Sequence, residues 1–492
     1  MRAVLLYLYY GLSMYLQTKN LQVLWRCVKI HKYLVIDLKI TKKNCEIPAN
    51  ATERAGPKNI TEIRRVIKRY NEAQTIHNED IFGPVQNDTI IIAIQVHTRL
   101  TYLRHLIVSL AQARDIDKTL LVFSHDYYDE EINTLVRSID FTKVMQIFYP
   151  YSIQMHPNEF PGMDPNDCPR DAKFEQAAKL KCNNALHPDL HGHYREAKYT
   201  QTKHHWWWKA NRIFNQLQCT TGHTGMVLFL EEDHYVSEDF IYMLNLLRST
   251  ADKSCPQCEI LCLGTYLKTY QYHITGDKVS EIKKSRYIKN VSSTFGMKFF
   301  YKSNFSSKNC LYSRQRKKQL NLNYIQQVKA ANEERRRRLH ETHAWNFQVY
   351  PNLYSNTQKV EITPWHSSMH NMGFAFNRTV WNNIMELQDK FCAYDDYNWD
   401  YSLLRLSQNR PGREKFKVAL CKGPRVFHIG ECGIHHKKSN CNASTVISKV
   451  QKLLQNAKKY MYPSRVTATV IAGGAKQNKK LTKGNGGWGD LR

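Results

Sequence analysis

The segment IIIAIQV, residues 90–96, is an unbroken run of mostly β-branched apolar side chains. Such a run lacks the polar alternation of a half-exposed strand and is typical of a strand covered on both faces. YLRHLIVSLAQARDI (102–116) follows at helical spacing, and TLLVFSHD (119–126) predicts a second buried strand. EEINTLVRSI (130–139) then indicates a helix and VMQIFYPYS (144–152) a strand. Alternating strands and helices predict an α/β fold with a doubly wound, mostly parallel sheet and helices on both faces.

The segment MVLFLEEDHY (226–235) continues this alternation and ends in charge. MVLFL predicts another buried strand, Glu231 to Tyr235 its loop, and SEDFIYMLNLL (237–247) a helix with Ser237 as N-cap. Three consecutive carboxylates therefore stand at the carboxyl end of a strand, which is the edge where open α/β sheets bind ligands.

The carboxylates of residues 231–233 need a neutralising charge. Adjacent carboxylates do not all ionise cheaply unless a cation lies close to them. Hard oxygen ligands favour Mg²⁺ or Mn²⁺, and Mn²⁺ also accepts imidazole. A cation here would hold a diphosphate and stabilise it as it leaves. The alternative is that the acids only interact with the dipole of the following helix.

Polar residues also follow the other predicted strands. His97 and Arg99 come after the first strand, and Asp126 comes after the second. No glycine-rich phosphate loop, neither a Walker A sequence nor GxGxxG, follows any of these strands. The sequence therefore does not predict an NTPase or a dinucleotide-binding protein.

A second region rich in acids and aromatic residues lies downstream. In FCAYDDYNWDYSLLRL (391–406), Asp395, Asp396 and Asp400 stand among Tyr and Trp. Aromatic faces suit the C–H surface of a sugar, and a carboxylate can serve as general base. Aromatic packing at the start of a helix is the alternative. His428 follows a short apolar run and is a candidate ligand, although a lone histidine more often has a structural role.

The net charge of +28, from 71 Lys and Arg against 43 Asp and Glu, is unevenly distributed. Residues 283–338 are densely basic and end in four consecutive arginines, without a steady apolar period. This pattern is typical of a solvated or disordered insert. A nucleic-acid-binding arm is the alternative.

Cysteine usage indicates an oxidising compartment. Among the 13 Cys, three short-range pairs are Cys168 with Cys182, Cys255 with Cys258, and Cys432 with Cys441. A Cys-x-x-Cys motif can be half of a zinc site, but no second such motif completes it. A secretory-pathway disulfide framework explains the set better, and seven Asn-x-Ser/Thr sequons agree. We therefore expect no nucleic-acid partner.

Several longer motifs resemble those of one family. They are QVHTR (95–99), FSHD (123–126), HPNEFPGMDPNDCPRD (156–171), GHYREAKYTQTKHHWWWK (192–209), FLEEDHY (229–235), HNMG (370–373), YDDYNWD (394–400), FHIGECGIHHKK (427–438) and NGGWGD (485–490). In these motifs and in their order, the chain resembles the N-acetylglucosaminyltransferase II family over roughly 85–271 and 354–492.

The resemblance implies a GT-A fold and a Mn²⁺-dependent, inverting transfer of GlcNAc from UDP-GlcNAc to the 2-hydroxyl of the α1,6-arm mannose of an N-glycan. By motif, Asp233 and His428 would ligate Mn²⁺, and Asp400 would be the catalytic base. The residues that would hold the nucleotide sugar are Gln95, Val96, His97, Thr98, Arg99, Asp126, Gln201, Thr202, Lys203, His204 and His205. The family further implies a type II protein of the Golgi membrane with a luminal catalytic domain.

The domain limits rest on the N-terminal sequence as well as on the resemblance, because an apolar N-terminal run precedes the polar and charged residues 17–84. We expect a signal-anchor at 1–20, a stem at 21–84 and a GT-A catalytic domain at 85–492, interrupted by the basic insert at about 272–352. Tyr270 stands where the family carries a nucleotide-contacting Arg. The chain stops before a further family Cys, so we expect a truncated C-terminus. The alternative functions are a catalytically impaired glycan-binding homologue and the product of an incorrect gene structure.

Overall fold

A computed structural model of the chain describes residues 59–188, 192–265, 352–392, 394, 398–430 and 443–470. These residues form a mixed α/β fold. The expected signal-anchor, the basic insert, the Cys432–Cys441 pair and residues 395–397 lie outside them. Within the described ranges, no helix is both long and apolar enough to cross a bilayer.

The strands of the described residues form a ten-stranded sheet and a separate two-stranded sheet. They are β1 (Ile76–His77), β2 (Ile91–Val96), β3 (Leu120–His125), β4 (Lys143–Phe148), β5 (Val227–Glu231), β6 (His234–Val236), β7 (Cys258–Cys262), β8 (Thr357–Pro364), β9 (Phe374–Phe376), β10 (Lys417–Cys421), β11 (Val426–His428) and β12 (Arg465–Val470). The order in the large sheet is β1-β4-β3-β2-β5-β9-β7-β10-β8-β12, and β6 pairs with β11.

Helices connect these strands. They are α1 (Ile60–Ala73), α2 (Glu79–Phe82), α3 (Leu100–Gln112), α4 (Glu130–Arg137), α5 (Phe174–Leu180), α6 (Ala197–Asn211), α7 (Phe240–Ser254), α8 (Ser367–His370), α9 (Arg378–Met385), α10 (Gln388–Cys392), α11 (Trp399–Gln408) and α12 (Ala443–Ala457). The segments predicted to form strands and helices between 90 and 152 do so, with ends shifted by a few residues.

Strand β2 lies between two hydrophobic cores. Ile92 and Ile94 belong to one core, and Ile91 and Ala93 belong to the other. Helices α3, α4 and α7 cover the first face of the sheet, whereas α6, α9 and α11 cover the second. Because successive side chains of a strand point to opposite faces, both faces require apolar residues. The prediction of strands covered on both faces is confirmed.

The predicted parallel order holds in the first half of the sheet. Strands β4, β3, β2 and β5 are parallel neighbours. Strand β9 then runs antiparallel between β5 and β7, and β8 runs antiparallel to β10. The sheet is therefore mixed, with five of its nine neighbouring pairs parallel. The short β9 carries no pattern from which its direction could be predicted.

The helix after the acidic cluster begins later than its sequence suggested. Helix α7 starts at Phe240, and its N-cap is Asp239 rather than Ser237. The Ser237 hydroxyl instead donates to Asp239 Oδ1 at 2.8 Å. The predicted loop is also shorter, because β6 already begins at His234. The cluster therefore lies in a tight turn between two strands.

Residues 60–82, which the sequence analysis placed in the stem, pack on the edge of the large sheet. Helix α1 forms where its spacing predicted a helix. Ile67 is buried beside Phe148, and the Asn71 side chain donates to the Phe148 carbonyl at 2.7 Å and accepts from its N–H at 2.9 Å. Strand β1 then pairs antiparallel with β4. This segment covers the otherwise open edge of β4, as sheet edges require.

Two of the predicted disulfides are present. Cys168 is bonded to Cys182, and Cys255 is bonded to Cys258. The first disulfide closes a loop in the long connection from β4 to α6, and the second joins the end of α7 to the start of β7. The Cys-x-x-Cys motif is therefore a covalent link and not half of a zinc site.

A buried ion pair connects the small sheet to α7. Arg425 Nε lies 2.8 Å from Asp239 Oδ1, and both side chains are 0% exposed. Arg425 directly precedes β11, and Asp239 directly precedes α7. Asp239 Oδ2 also accepts from the N–H of Tyr462 at 3.2 Å. The pair therefore holds three distant parts of the chain together.

Substitution of Arg425 by methionine is expected to lower the free energy of unfolding by about 3–5 kcal/mol, because it leaves the Asp239 carboxylate buried without its partner. Chemical denaturation followed by circular dichroism measures this loss. The control is Arg413→Met, which removes an exposed pair with Glu386 at 3.4 Å and should change stability by less than about 1 kcal/mol. Equal effects of the two substitutions would contradict the role of the buried pair.

Candidate active site

The acidic cluster occupies the turn between β5 and β6. Glu231 ends β5, His234 begins β6, and Glu232 and Asp233 form the turn. Glu232 and Asp233 are only 1% and 2% exposed. The N–H of Glu232 donates to the Gln95 carbonyl at 2.9 Å, which extends the pairing of β2 with β5. The turn is therefore fixed at the carboxyl edge of the parallel strands.

Asp233 is held by two distant parts of the chain. Arg99 Nη1 lies 2.8 Å from Asp233 Oδ2, and His428 Nε2 lies 3.0 Å from the same oxygen. The β6–β11 pairing places His428 opposite His234, next to the turn. Burial opposes ionisation of Asp233, but the charges of His428 and Arg99 outweigh it and hold its pKa well below its usual value. An ionised carboxylate therefore lies in the turn.

Glu232 fastens the turn to the connection between β2 and α3. Its Oε2 accepts from the N–H of His97 at 2.8 Å, and its Oε1 accepts from Arg99 Nε at 2.7 Å. Burial raises the pKa of Glu232, although the Arg99 charge opposes this shift. Because both oxygens of Glu232 already have partners, we assign it a structural role.

The remaining groups of the cluster fit a divalent cation. Asp233 Oδ1 is buried, and among the described residues no hydrogen-bond partner reaches it. Ligand atoms of Glu231, Asp233 and His234 lie within 4.8 Å of one another. Carboxylate oxygen together with imidazole nitrogen suits Mn²⁺. The structure thus brings Asp233 and His428 together and adds Glu231, which was not among the predicted ligands.

His234 is a weaker candidate ligand than His428. Its Nδ1 accepts from the N–H of Glu231 at 3.1 Å, so the proton of the neutral ring is on Nε2. Burial lowers the pKa of His234 to about 3, which keeps the ring neutral at physiological pH. We therefore interpret His234 as a residue that fixes the turn.

A second buried network lies at the ends of β2 and β3. His97 Nδ1 is 2.6 Å from Asp126 Oδ1, and His205 Nδ1 is 3.3 Å from Asp126 Oδ2. Burial opposes ionisation of Asp126, but hydrogen bonds with His205 and His97 outweigh it and lower its pKa. His97, whose side chain is 49% exposed, is thereby oriented at the rim of the site.

The second network contains the serine, histidine and aspartate of a hydrolase triad, but its serine is not accessible to a substrate. His205 Nε2 lies 2.8 Å from Ser124 Oγ, so Ser124, His205 and Asp126 are linked in series. Ser124 is 0% exposed and cannot reach a substrate. A nucleophilic serine must contact the scissile carbonyl. The series therefore has a positioning role.

Lys209 belongs to the site but was not among the predicted residues. Its Nζ donates to Gln95 Oε1 at 2.9 Å, and the side chain is 1% exposed. Burial lowers the pKa of Lys209 to about 7, against the opposing charge of Glu231. Lys209 thus orients the Gln95 amide. The available signal was a lysine that directly follows three tryptophans, since a lysine buried in such a segment needs a polar partner.

Gln201 and Lys203, which the resemblance assigned to the nucleotide sugar, contact neighbouring backbone. Gln201 Oε1 accepts from the N–H of Ile153 at 2.6 Å. Lys203 Nζ donates to the carbonyl of Tyr394 at 2.7 Å. Both side chains therefore brace loops around α6, whereas His205 on the same helix is joined directly to the network of Asp126.

The other residues predicted to bind the nucleotide sugar do not all face the site. Val96 is 0% exposed and packs in the hydrophobic core, so its side chain does not face the site. Thr98 is exposed at the start of α3, and His204 is buried in α6. Thr202 Oγ1 donates to the Lys198 carbonyl at 3.1 Å, within α6 itself. The geometry therefore singles out His97, Arg99, Asp126 and His205.

Asp400 lies in the first turn of α11. Its Oδ2 accepts from Asn371 Nδ2 at 3.2 Å, and its Oδ1 accepts from the N–H of Tyr401 at 3.0 Å. The preceding Trp399 stacks on Trp206 of α6, with ring centroids 5.0 Å apart and planes 5° apart. The stack fixes α11 against the helix that carries His205.

The segment 371–373 connects Asp400 with the small sheet. Gly373 has a φ of +56°, and a Cβ there would lie 2.4 Å from Val426 Cγ2. Because Val426 begins β11, this segment packs directly on the strand that ends in His428. A side chain at position 373 would therefore clash with the strand that carries His428.

Substitution of Gly430 by alanine is expected to weaken divalent-cation binding by about 10- to 100-fold, the usual effect of disturbing residues that orient metal ligands. A Cβ at this position would lie 2.1 Å from Asp233 Oδ2. Titration calorimetry with MnCl₂ measures the change. The control is Gly412→Ala, where φ is +64° but no atom lies within 4 Å of the added Cβ. A Gly430 variant with unchanged affinity would contradict the placement of the site at Asp233.

Together, the fold and the site define a class of protein. Parallel strands end at an ionised Asp233, a donor set that fits a cation, and a partly exposed rim that carries His97 and Arg99. This arrangement is typical of α/β proteins that bind an anionic ligand such as a nucleotide at the carboxyl edge of the sheet.

Comparisons with known proteins define the family. The family N-acetylglucosaminyltransferase II (MGAT2) matches residues 64–325 and 317–492. Alpha-1,6-mannosyl-glycoprotein 2-beta-N-acetylglucosaminyltransferase of Homo sapiens is 36% identical over 434 residues, which cover 87% of this chain and 77% of that protein. The Sus scrofa protein of the same name is 35% identical over 436 residues, with the same coverage. The chain belongs to the N-acetylglucosaminyltransferase II family of glycosyltransferases.

The chain also has more distant similarities. The Arabidopsis thaliana protein of the same name is 27% identical over 365 residues, which cover 74% of this chain and 63% of that protein. Among solved structures, the mannosyltransferase Ktr4p from S. cerevisiae in complex with GDP covers 51% of this chain and 61% of that chain, at 13% identity. Its TM-score of 0.20 is too low to support any argument.

Proposed function

We propose that the protein is a GT-A enzyme that moves GlcNAc from UDP-GlcNAc to the 2-hydroxyl of the α1,6-arm mannose of N-glycans, with inversion. Membership of the N-acetylglucosaminyltransferase II family supports the reaction. The observation that carries the proposal is the buried Asp233, whose Oδ1 has no hydrogen-bond partner among the described residues and whose Oδ2 contacts His428. Such a carboxylate suits a cation that binds the diphosphate of a nucleotide sugar.

Mn²⁺ is the proposed cofactor. Asp233 and His428 would hold it, and Glu231 is close enough to contribute. When bound, the ion would supply positive charge for the diphosphate as the bond to GlcNAc breaks. Arg99 and His97 would bind the nucleotide sugar at the rim, and the contacts of Asp126 with His97 and His205 support this role because they orient His97.

Asp400 is the proposed general base. Its carboxylate is oriented by the Asn371 amide and the Tyr401 N–H. It would accept the proton of the mannose 2-hydroxyl as that oxygen attacks the anomeric carbon of GlcNAc. Attack from the face opposite the departing diphosphate converts an α linkage into a β linkage, as a single displacement requires.

We also propose a luminal catalytic domain anchored as a type II protein in the Golgi membrane. The two disulfides support an oxidising compartment. The sequon residues Asn59 and Asn87 are exposed on the folded domain, where attached glycans would not disturb the core. The N-glycan acceptor would then be presented on glycoproteins that pass through the same compartment.

The test is a transfer assay with the full chain, UDP-GlcNAc and a hybrid N-glycan that carries an unsubstituted α1,6-arm mannose. We expect one added GlcNAc in β1,2 linkage, loss of activity with EDTA and recovery with MnCl₂. Binding of UDP-GlcNAc and glycan without any product would instead support a catalytically impaired glycan-binding homologue. Transfer that persists without divalent cations would contradict the assignment of Mn²⁺.

A further inference from the structure

Arg99 joins the exposed rim of the site to its buried acids. Its Nε lies 2.7 Å from Glu232 Oε1, and its Nη1 lies 2.8 Å from Asp233 Oδ2. The Arg99 side chain is 30% exposed, whereas those of Glu232 and Asp233 are 2% and 3% exposed. The guanidinium therefore contributes positive charge to the cluster from a position that is partly exposed to solvent.

A divalent cation at Asp233 would meet this guanidinium. Like charges a few ångströms apart repel strongly in a site shielded from water. A cation bound by Asp233 and His428 would therefore compete with Arg99 for the same carboxylate. Because the Arg99 side chain is partly exposed, its release from Asp233 would not require the core to open.

We propose that Arg99 is an exchangeable counter-ion of the acidic cluster, which binds Asp233 in the absence of ligand and yields to the divalent cation when the nucleotide sugar binds. This inference rests on the proposed function, because it requires a cation at Asp233. Arginine that leaves a carboxylate remains available to an anionic ligand, since its planar group binds phosphate as well as carboxylate. Cation and nucleotide binding are then coupled, and each strengthens the other.

Gly430 packs directly against the ion pair. A Cβ on this residue would lie 3.1 Å from Arg99 Nη1 and 2.1 Å from Asp233 Oδ2. A side chain at position 430 would therefore clash with the pair in its observed position.

The test is calorimetric titration of MnCl₂ into the full chain without nucleotide, for the wild type and for Arg99→Gln. The competing charge is absent in the variant, so we expect its Kd for Mn²⁺ to be about tenfold lower, a typical coupling between sites. Arg99→Lys keeps the charge but cannot contact both acids at once, and its Kd should lie between the two. The control is Arg114→Gln, which removes an exposed arginine from the segment just after α3 and should not change the Kd.

The titrations are repeated with saturating UDP. In the wild type, UDP should lower the Kd for Mn²⁺ by a larger factor than in Arg99→Gln, because only the wild type has a counter-ion to release. The proposal is overturned if, without UDP, both Arg99 variants bind Mn²⁺ no more tightly than the wild type. The proposed function would still stand in that case, provided that the wild type binds the cation. Failure of the wild type to bind Mn²⁺ both without UDP and with saturating UDP would overturn the proposal and the proposed function together.

Discussion

Substitution of Asp233 by asparagine is expected to reduce the rate of GlcNAc transfer by about three orders of magnitude and to abolish Mn²⁺ binding. The neutral amide removes the charge that Arg99 and His428 contact at 2.8 and 3.0 Å. A metal that stabilises a leaving group contributes several kcal/mol to catalysis, and each 1.4 kcal/mol is about tenfold in rate. Initial rates at saturating UDP-GlcNAc and a MnCl₂ titration measure the two effects.

A matched control separates this effect from a general loss of charge. Asp117→Asn removes a carboxylate from an exposed turn before β3 and should leave both the rate and Mn²⁺ binding unchanged. Thermal unfolding of both variants reports whether the fold is intact. If the Asp233 variant is folded and still transfers GlcNAc at more than about a tenth of the wild-type rate, the assignment of Asp233 as metal ligand is wrong.

Substitution of Asp400 by asparagine is expected to lower kcat by about 10²- to 10⁴-fold, the range of a lost general base. The amide has nearly the shape of the carboxylate, so the contacts with Asn371 and the stack of Trp399 on Trp206 should persist. The Kd for UDP should therefore not change. Initial-rate kinetics together with calorimetry of UDP binding distinguish loss of chemistry from loss of binding.

The control for Asp400 is Asp389→Asn, which removes an exposed acid from the neighbouring helix α10. It should retain wild-type kcat and UDP affinity. If Asp400→Asn loses UDP affinity by as large a factor as it loses kcat, Asp400 has a role in binding. If the variant keeps the wild-type kcat, Asp400 is not the general base.

The sequence predicted the part of the fold that depends on local pattern. The continuous apolar runs of β2 and its neighbours mark strands that are covered on both faces. The polar residues predicted to follow these strands lie at their carboxyl ends. The mixed order of the other half was not predictable, because β9 is only three residues long and pairs with strands on both sides. Its direction depends on tertiary packing.

The candidate site was predicted by motif rather than by pattern. The cluster of residues 231–233 was visible as an unusual accumulation of charge, but its contact with His428 depends on the pairing of two three-residue strands almost 200 positions apart in the chain. The contacts of Arg99 with Asp233 and of Lys209 with the Gln95 amide also required coordinates, because the sequence does not show which polar group a basic residue will contact. The distinction between Ser237 and Asp239 as N-cap failed for a similar reason, since both residue types suit that position.

The stack of Trp206 on Trp399 makes one contact of the candidate site independent of charge. Because this contact between α6 and α11 is apolar, a change in ionic strength should weaken the ion pairs at the rim while the spacing between the two helices stays the same. Since α6 carries His205 and α11 carries Asp400, the separation of these two side chains should be insensitive to salt.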